Sequence, residues 1–299
     1  MKRSVLQRSI TWSMQKFSFI YAFLSDEKYL KLRHWAIFGK KLDLINPTLF
    51  NEKLQWLKIH DRKYEHVRMV DKYEAKHYVS ETIGDEYVIQ TLGVWDRFED
   101  IDFNMLPEKF VLKCTHDSGG VCICKNKRLF DYKKAKKVLS RSLKHNYFLV
   151  DREWPYKKVK PRIIAEKYME DSNLGELRDY KFFCFNGKAK CFKVDIDRFT
   201  HHRANYYDMN GEIMKLGEEL YPPDFGISIT LPENLKKMQE LAEKLALNET
   251  FLRVDFYEVD GRVYFGELTF YPASGIGRFV YEDNDKMLGS WLNLPIDYE

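Results

Sequence analysis

A segment of the chain near residue 260 constrains its fold more than any other. Two apolar runs, residues 251–257 and 263–268, flank the pair Asp260-Gly261. An aspartate followed by a glycine favours the turn with φ > 0 that joins two antiparallel strands. The sequence therefore predicts a β-hairpin whose strands place their side chains opposite one another.

The predicted hairpin carries two acids. Asp255 lies in the first strand and Glu267 in the second, so strand pairing brings their carboxylates towards each other. Adjacent carboxylates repel, and burial raises that cost, but a hard divalent cation such as Mg²⁺ removes it by binding their oxygens. Arg253 lies two residues before Asp255 on the same strand face, where it could hold an anion next to the metal. A surface hairpin with solvated acids is the alternative.

Composition sets broad limits on the class of protein. A length of 299 residues suggests one large or two medium domains, and 44% hydrophobic residues with 15% aromatics support a substantial core. No run approaches the roughly 18 apolar residues of a membrane-spanning helix. The N-terminal region also lacks the pattern of a secretory signal, so we expect a cytoplasmic protein. A net charge of +4 suits anionic ligands but is too small to indicate nucleic-acid binding.

The five cysteines fall in or beside apolar runs that are typical of strands. Buried free thiols explain this placement most simply. Cys122 and Cys124 share a strand face, but no second cysteine pair follows at the spacing of a zinc site. We therefore expect no zinc site.

Residues 1–25 form a basic, aromatic and loosely amphipathic segment without any acid. Its basic residues are Lys2, Arg3, Arg8 and Lys16. Such a segment could lie on an anionic membrane face. The alternative is an N-terminal helix that packs on its own domain.

The remaining chain mixes helical and strand-like patterns. Helices are predicted over residues 47–57, 71–80, 131–147 and 233–247. Further strands are predicted over residues 110–115, 121–125, 162–169, 180–185 and 189–196. Asn186-Gly187 predicts a second tight hairpin turn. From residue 70 onwards, these patterns indicate a mixed α/β chain.

A lysine and a glycine-containing loop follow one another in the strand over residues 110–115. Lys113 would supply a positive charge, Ser118 a hydroxyl donor, and the pair Gly119-Gly120 backbone amides that approach a phosphate closely. The P-loop pattern is absent, because no Gly-Lys-Ser/Thr follows. An ordinary hairpin turn is the alternative.

Two other strands carry charged residues that could line a site. Glu166 and Lys167 lie in the charged final part of the strand over residues 162–169. Backbone groups there could contact the edge of an adenine ring. The alternative is that both residues are ordinary charges of an edge strand. Asp179 and Lys181 share one face of the next strand, and a single ion-paired surface strand explains this pattern equally well. Lys193, Asp195 and Asp197 share a face of its partner strand. Several charges on one sheet face are unusual unless a polyanion and a metal bind there.

In this order, the elements resemble an ATP-grasp enzyme. Four stretches are more narrowly similar to the TupA-like ATP-grasp family, which is associated with bacterial cell-surface polysaccharide and teichuronopeptide synthesis. These stretches are residues 50–56, 110–120, 178–187 and 266–272. The resemblance implies two α+β subdomains that clasp a nucleotide, with a helical N-terminal extension. The expected boundaries are 1–60 for the extension, 61–108 for an N-terminal α/β region, 109–169 for a lid subdomain, and 170–299 for a C-terminal subdomain with the metal site.

The resemblance also implies how ATP is held. Lys72 and Lys113 match the lysines that bind its phosphates. Ser118, Gly119 and Gly120 match the loop that closes over the β- and γ-phosphates.

Glu166 and Lys167 match the strand at the adenine edge, and Asp179 matches the acid near the ribose. Lys181 and Lys193 are both plausible additional phosphate contacts, and the resemblance does not choose between them. Lys193 is also a candidate catalytic residue.

Three further positions match the Mg²⁺ ligands: Asp255, Glu267 and Thr269. Many ATP-grasp ligases have asparagine at the third position, and a threonine hydroxyl is a poorer ligand than an amide oxygen. Arg253 matches the arginine that steadies an acyl-phosphate and its tetrahedral successor.

The implied activity is an ATP- and Mg²⁺-dependent ligase that joins a carboxylate to an amine through an acyl-phosphate. The family context suggests a uronic acid or amino-acid carboxylate of a surface glycan or its precursor. One alternative is a kinase that phosphorylates a sugar hydroxyl. Another is a non-catalytic or sugar-transferring component of a polysaccharide assembly complex, docked at the inner membrane face through residues 1–25.

Overall fold

The computed structural model describes residues 3–117, 119–171, 177–198 and 200–295. Its helices are α1 (Val5–Lys16), α2 (Asp26–Phe38), α3 (Phe50–His60), α4 (Glu65–Val70), α5 (Glu74–Ile83), α6 (Tyr132–Leu143), α7 (Phe148–Asp151), α8 (Leu235–Leu245) and α9 (Glu282–Trp291). Among the described residues, no helix combines the length and the apolar character that crossing a membrane requires.

The described strands form two antiparallel sheets. The small sheet has the order β1-β4-β2-β3 and consists of β1 (Thr91–Trp95), β2 (Phe110–Cys114), β3 (Val121–Cys124) and β4 (Ile163–Lys167). The large sheet has the order β7-β6-β5-β8-β9 and consists of β5 (Asp179–Phe185), β6 (Lys188–Ile196), β7 (Arg203–Asp208), β8 (Phe251–Val259) and β9 (Arg262–Thr269). The predicted α+β class is confirmed.

Both predicted hairpin turns are present. Asp260 and Gly261 have φ of 50° and 73°, and Asn186 and Gly187 have φ of 47° and 79°. Two successive positive φ angles define the turn that matches the twist of two-residue hairpins. The local sequence therefore determines where β5 meets β6 and where β8 meets β9.

The large sheet is the centre of the main hydrophobic core. Every residue of β5 is buried, because α8 packs near β5, β6 and β8 with buried residues such as Met238 and Leu241. Phe50 and Leu54 of α3 belong to the same core. The small sheet has a separate core with α6, which contributes Leu139.

The expected domain boundaries stay a prediction. The packing shows which sheet the N-terminal elements join. Helix α3, which falls in the expected N-terminal extension, packs in the core of the large sheet. Strand β1, which falls in the expected α/β region, pairs with β4 of the small sheet. A third small cluster joins Met14 of α1 to Tyr29 and Leu30 of α2.

Some helix ends differ from the prediction. The helix predicted from residue 71 begins at Glu74, because the Asp71 carboxylate accepts the backbone N–H groups of Tyr73 and Glu74. The helix predicted over 131–147 ends at Leu143. All five cysteines are free, and each is buried except Cys122, which is half-buried.

Candidate active site

A cleft of ≈ 1730 Å³ is lined by residues of both sheets. Lys113 and Glu166 reach it from the small sheet, and Lys181, Asp255 and Glu267 reach it from the large sheet. A single large cleft that gathers charged side chains from several elements is the usual form of a ligand site.

The hairpin places the two predicted acids opposite each other, with Asp255 facing Glu267 in the β8–β9 register. Arg253 holds Asp255 through two N–H donors, Nε and Nη2, at 2.7 Å each, and its Nη2 lies 3.6 Å from Glu267. Burial raises the pKa of Asp255 although Arg253 opposes that shift. Glu267 retains 36% of its side-chain exposure, so it is the more open acid of the pair.

A β-bulge creates this register. A regular two-residue turn at 260–261 would pair Asp255 with Gly266, but the register shifts between Asp255 and Phe256. A Cβ atom added at Gly266 would lie 3.1 Å from the Asp255 carbonyl oxygen and 3.1 Å from the Tyr257 ring. Glycine at 266 therefore allows the close backbone approach that puts Glu267 beside Asp255.

Lys72, a predicted phosphate ligand, joins three parts of the chain. Its ammonium donates a hydrogen bond to the Asp117 carbonyl and lies 3.7 Å from Glu267. Its backbone N–H donates to Thr115 at 3.0 Å, just after β2. Lys72 thus lies beside both the predicted metal pair and the turn that follows β2.

Lys113 and Glu166 form an ion pair across neighbouring strands. Lys113 Nζ lies 2.6 Å from Glu166, and Lys76 Nζ of α5 lies 2.7 Å from the other carboxylate oxygen. Burial opposes ionisation of Glu166, but the two lysines outweigh it and lower its pKa to about 2. In this conformation, Glu166 binds lysines, so its carboxylate is not free for an adenine edge.

The end of β4 supplies other residues to the cleft. Lys167 is exposed, and its backbone N–H donates to the Gln90 carbonyl at 3.0 Å. Tyr168 and Met169, which follow it, line the cleft. They are apolar surfaces next to the predicted adenine strand, and sequence reasoning did not single them out.

The predicted phosphate loop is only partly described, because Ser118 lies outside the described residues. A Cβ atom at Gly120 would lie 2.5 Å from Ser142 Oγ, so Gly120 allows close packing against α6. A Cβ atom at Gly119 would meet nothing within 4 Å. Neither Gly119 nor Gly120 is among the described residues that line the cleft.

Asp179 and Lys181 belong to one network of buried charges. Lys181 contacts Asp195 on β6 and lies 3.2 Å from Asp179. Arg198 contacts Asp179 from the other side. Burial opposes ionisation of Asp195, but Lys181 and further cations outweigh it and lower its pKa. These residues are brought together as their shared strand faces predicted, although Asp179 binds cations rather than lying free.

Lys193 lies in a second buried pair. Its Nζ is 3.2 Å from Glu218, which also accepts a hydrogen bond from the Tyr206 hydroxyl. Burial opposes ionisation of Glu218, but Lys193 outweighs it and lowers the pKa of that carboxyl. Glu218 lies in a loop without a strand or helix pattern, and no signal in the sequence singled it out.

Two aromatic rings close one end of the cleft. His202 and Tyr221 stack with ring centroids 3.7 Å apart, and His202 Nε2 lies 3.2 Å from Asp195. The sequence pattern does not single out His202, which is half-buried in the structure beside Asp195 of β6.

Thr269, the third predicted metal ligand, faces Arg253 in the strand register and is half-buried. It is not among the described residues that line the cleft, whereas Glu267 is. Its role in metal binding stays a prediction.

A turn after β9 forms part of the cleft wall. Ala273, Ser274 and Gly275 have positive φ angles of 46°, 55° and 60°, and Ala273 lines the cleft. Gln55 donates to the carbonyls of Ser274 and Gly275 at 3.1 and 2.6 Å, and Lys58 donates to that of Ser274 at 2.8 Å. Helix α3 therefore stabilises a backbone conformation that non-glycine residues rarely adopt.

A buried acid reinforces this turn. The Ser274 hydroxyl donates to Glu153 at 2.6 Å. Burial raises the pKa of Glu153 to about 7, and the positive charge of Lys58 limits the shift.

The charges in the cleft divide unequally between the two walls. On the large-sheet wall, ion pairs join four cations to five carboxylates: Lys181, Lys193, Arg198 and Arg253 with Asp179, Asp195, Glu218, Asp255 and Glu267. On the small-sheet wall, Lys76 and Lys113 share the single acid Glu166. The carboxylates of the large-sheet wall, where Glu267 also lies 3.7 Å from Lys72, suit a divalent cation, and the surplus of lysine on the other wall suits phosphate.

The donor set therefore fits a magnesium nucleotide. Glu267 offers carboxylate oxygens, which are hard ligands of the kind Mg²⁺ prefers. Asp255 gives one acceptor position on each oxygen to Arg253, and a carboxylate has about four such positions, so a metal can share it. Two antiparallel sheets that present opposed acids and a lysine-rich wall to one cleft define an α+β protein of the ATP-grasp class.

The family follows from the sequence match. The TupA-like ATPgrasp family matches residues 52–293, which is well over half of the chain. The chain belongs to this family of ATP-grasp proteins. No curated protein matches the chain.

Solved structures with similar chain traces share little sequence with this protein. D-alanine–D-alanine ligase from Bacillus anthracis in complex with ATP is 19% identical over 68% of this chain and 54% of that chain, with a TM-score of 0.39. Phosphoribosylamine–glycine ligase from Thermotoga maritima is 14% identical over 69% and 48%, with a TM-score of 0.41. D-alanyl-alanine synthetase A from Vibrio cholerae is 13% identical over 80% and 62%, with a TM-score of 0.43. The chain spans about half the length of the first two proteins.

Proposed function

We propose that the protein is an ATP- and Mg²⁺-dependent ligase that joins a carboxylate to an amine. The observation that carries this proposal is the division of charge across the cleft. The acid-rich wall around Glu267 faces the same cavity as Lys113 of the lysine-rich wall, and Lys72 lies between them. This arrangement suits a nucleotide triphosphate whose phosphates contact lysines while a metal binds the acids.

In the proposed reaction, the substrate carboxylate accepts the γ-phosphoryl group of ATP and becomes an acyl-phosphate. An amine then attacks the acyl carbon, and phosphate leaves as the amide forms. Bound Mg²⁺, held by Glu267 and Asp255, would neutralise charge on the transferring phosphoryl oxygens.

The side chains of this protein act by position and charge. Arg253 is kept cationic and oriented by its two hydrogen bonds to Asp255, so it can stabilise negative charge without rearranging. Lys193, oriented by Glu218, would contribute a second positive charge. No side-chain nucleophile is needed, because the transferred group passes directly to the substrate.

The acceptor end of the cleft is proposed to lie at Arg198, His202 and Tyr221. Arg198 has 37% of its side chain exposed, so its guanidinium remains accessible to a second carboxylate. We propose a uronic acid or amino-acid carboxylate of a cell-surface polysaccharide or its precursor as the substrate. The family membership supports that context. Because the reaction consumes ATP, the proposed site of action is the cytoplasm.

A phosphate-release screen tests the proposal. ATP and Mg²⁺ are supplied with panels of uronic acids and amino acids, each with and without amine acceptors. We expect ADP and free phosphate to accumulate with a matching carboxylate and amine, and the Glu267→Gln variant to lose this activity.

Two other results would overturn the proposal. Transfer of phosphate to a sugar hydroxyl would identify a kinase. Binding of a sugar nucleotide without any binding of ATP would identify a sugar-transferring or non-catalytic component.

A further inference from the structure

A patch of large apolar side chains lies exposed near the N-terminus. It consists of Val5, Leu6, Trp12, Phe19, Ile20 and Phe23, each 51–80% exposed. We refer to these six residues as the N-terminal patch. Single exposed apolar side chains are ordinary on protein surfaces, but six of them within residues 5–23 are a concentration of the kind that marks an interaction site.

One face of helix α1 packs against the protein, and the opposite face carries exposed residues of the N-terminal patch. Met14 is buried against α2, and the Gln7 side chain donates to the Trp35 carbonyl at 3.0 Å. On the opposite face, Val5 and Trp12 lie two turns apart, and Lys16 lies one turn beyond them. The helix is therefore anchored, and its outward face is not needed for the core.

Two aromatic members of the patch, Trp12 and Phe19, are connected through the ring of Phe17. The rings of Trp12 and Phe17 meet edge to face at 5.5 Å, and Phe17 meets Phe19 at 6.4 Å. Lys16 Nζ lies 5.0 Å from the Trp12 ring centroid and 5.8 Å from that of Phe17. These contacts hold a positive charge at the edge of the apolar surface.

The segment that carries the patch is basic and contains no acid. Arg3, Arg8 and Lys16 lie in the segment, and the first acid in the sequence is Asp26. Asp26 is itself held by Arg62 at 2.6 Å. Within the described part of the chain, no ion pair neutralises Arg3, Arg8 or Lys16.

We propose that the N-terminal patch binds a membrane surface that contains anionic lipid. Helix α1 and the turn Ser18–Tyr21 would lie in the plane of the interface, with the aromatic rings at the headgroup level and the basic side chains at lipid phosphates. The absence of any acid from the segment favours an anionic surface over a protein partner with mixed charge. Since none of the six patch residues is among the described residues lining the cleft, this proposal does not depend on the proposed ligase activity.

Vesicle sedimentation with the full chain tests the proposal. We expect the protein to sediment with phosphatidylcholine vesicles that contain phosphatidylglycerol, and not with pure phosphatidylcholine vesicles. Binding should weaken in about 0.5 M NaCl, because salt screens the attraction of exposed charges.

Two variants separate the apolar and the basic contributions. We expect a Trp12→Ser/Phe19→Ser/Phe23→Ser protein and an Arg8→Glu/Lys16→Glu protein each to bind the anionic vesicles at least about tenfold more weakly. Retained ATP binding in both variants would show that the fold is intact.

Matched controls change equivalent residues away from the patch. Ile45→Ser/Met105→Ser/Leu247→Ser removes equally exposed apolar side chains, and Lys190→Glu/Lys244→Glu reverses two exposed charges. We expect both controls to bind vesicles like the wild type. The proposal is overturned if the patch variants bind anionic vesicles like the wild type, if pure phosphatidylcholine binds equally well, or if the patch only mediates self-association.

Discussion

The two sheets that line the cleft hold their charges in different ways. On the large-sheet wall, buried cations and acids pair with one another, between neighbouring strands as Lys181 does with Asp195, or within one strand as Arg253 does with Asp255. On the small-sheet wall, Lys113 of β2 and Lys76 of α5 share one acid, Glu166. The large sheet thus presents a charge network that is already ordered, whereas the small sheet presents surplus positive charge.

This difference separates two tasks. Charges fixed by neighbouring strands cannot relax easily, and such preorganisation is what stabilises a transition state. Surplus lysine charge instead favours binding of an anionic ligand. We therefore expect variants of the large sheet to affect stability and turnover, and variants of the small sheet to affect mainly ligand affinity.

The largest expected effect comes from Glu267→Gln. Loss of the open carboxylate removes a proposed metal ligand, so Mg²⁺-dependent ATP turnover should fall by about 10³-fold. Because Glu267 is partly exposed and its cationic neighbours lie at 3.6 and 3.7 Å, the unfolding free energy should change little. Turnover and thermal unfolding are measured side by side, with Glu240→Gln on α8 as a control. Unchanged turnover would contradict the assigned metal site.

Asp255→Asn should reduce both turnover and stability. The buried Arg253 would lose the carboxylate that accepts two of its hydrogen bonds and keep only Glu267 at 3.6 Å, and breaking such a buried pair costs about 3–5 kcal/mol. Urea unfolding measures this cost. A second change, Arg253→Met, should restore part of the lost stability without restoring turnover. If Asp255→Asn unfolds like the wild type, the large sheet does not depend on its charge pairs, and the comparison fails.

Lys113→Met and Lys181→Met compare the two walls directly. Lys113→Met leaves Glu166 paired with Lys76, so stability should change by less than about 1 kcal/mol while ATP affinity falls about tenfold. Lys181→Met removes the cation between two buried acids and should cost at least about 2 kcal/mol of unfolding free energy. Calorimetric ATP titration and urea unfolding give both quantities. If Lys113→Met mainly lowered stability and Lys181→Met mainly lowered ATP affinity, the roles assigned to the two walls would be wrong.

The last expected effect concerns the pH dependence of stability. Glu153 has an ordinary pKa of 4.5 and a folded-state pKa of about 7, so between these values the folded protein holds a proton that the unfolded chain has lost. Its contribution to stability is therefore present at low pH and is lost as the pH rises through about 7. Relative to Glu153→Gln, the wild-type unfolding free energy should fall by up to about 1.4 kcal/mol per pH unit in this window. Unfolding free energies are measured for both proteins at several pH values. If the difference between them stays constant from pH 4.5 to 7, Glu153 does not titrate in this window.

The parts of the fold that depend on local sequence could be predicted. Both hairpins follow from Asp260-Gly261 and Asn186-Gly187, because these pairs accept positive φ angles without help from distant residues. The shared faces of Asp179 with Lys181 and of Lys193 with Asp195 follow from strand alternation.

Other parts depend on contacts between distant residues. Asp255 faces Glu267 only because of the bulge at Gly266, and a hydrophobic pattern does not reveal a shift of one residue. Lys76 looks like a solvated helix charge in the sequence, yet it is buried against Glu166. Glu218 and Tyr221 come from an irregular loop whose path the sequence pattern does not specify.

The contacts of helix α3 with the turn at Ala273 also bear on the order of folding. Gln55 and Lys58 bind carbonyl groups that lie 216 to 220 residues later in the chain. Contacts between such distant residues form late, because a long loop must close before they can contribute. We therefore expect this wall of the binding cavity to be completed only once α3 has met the turn at Ala273.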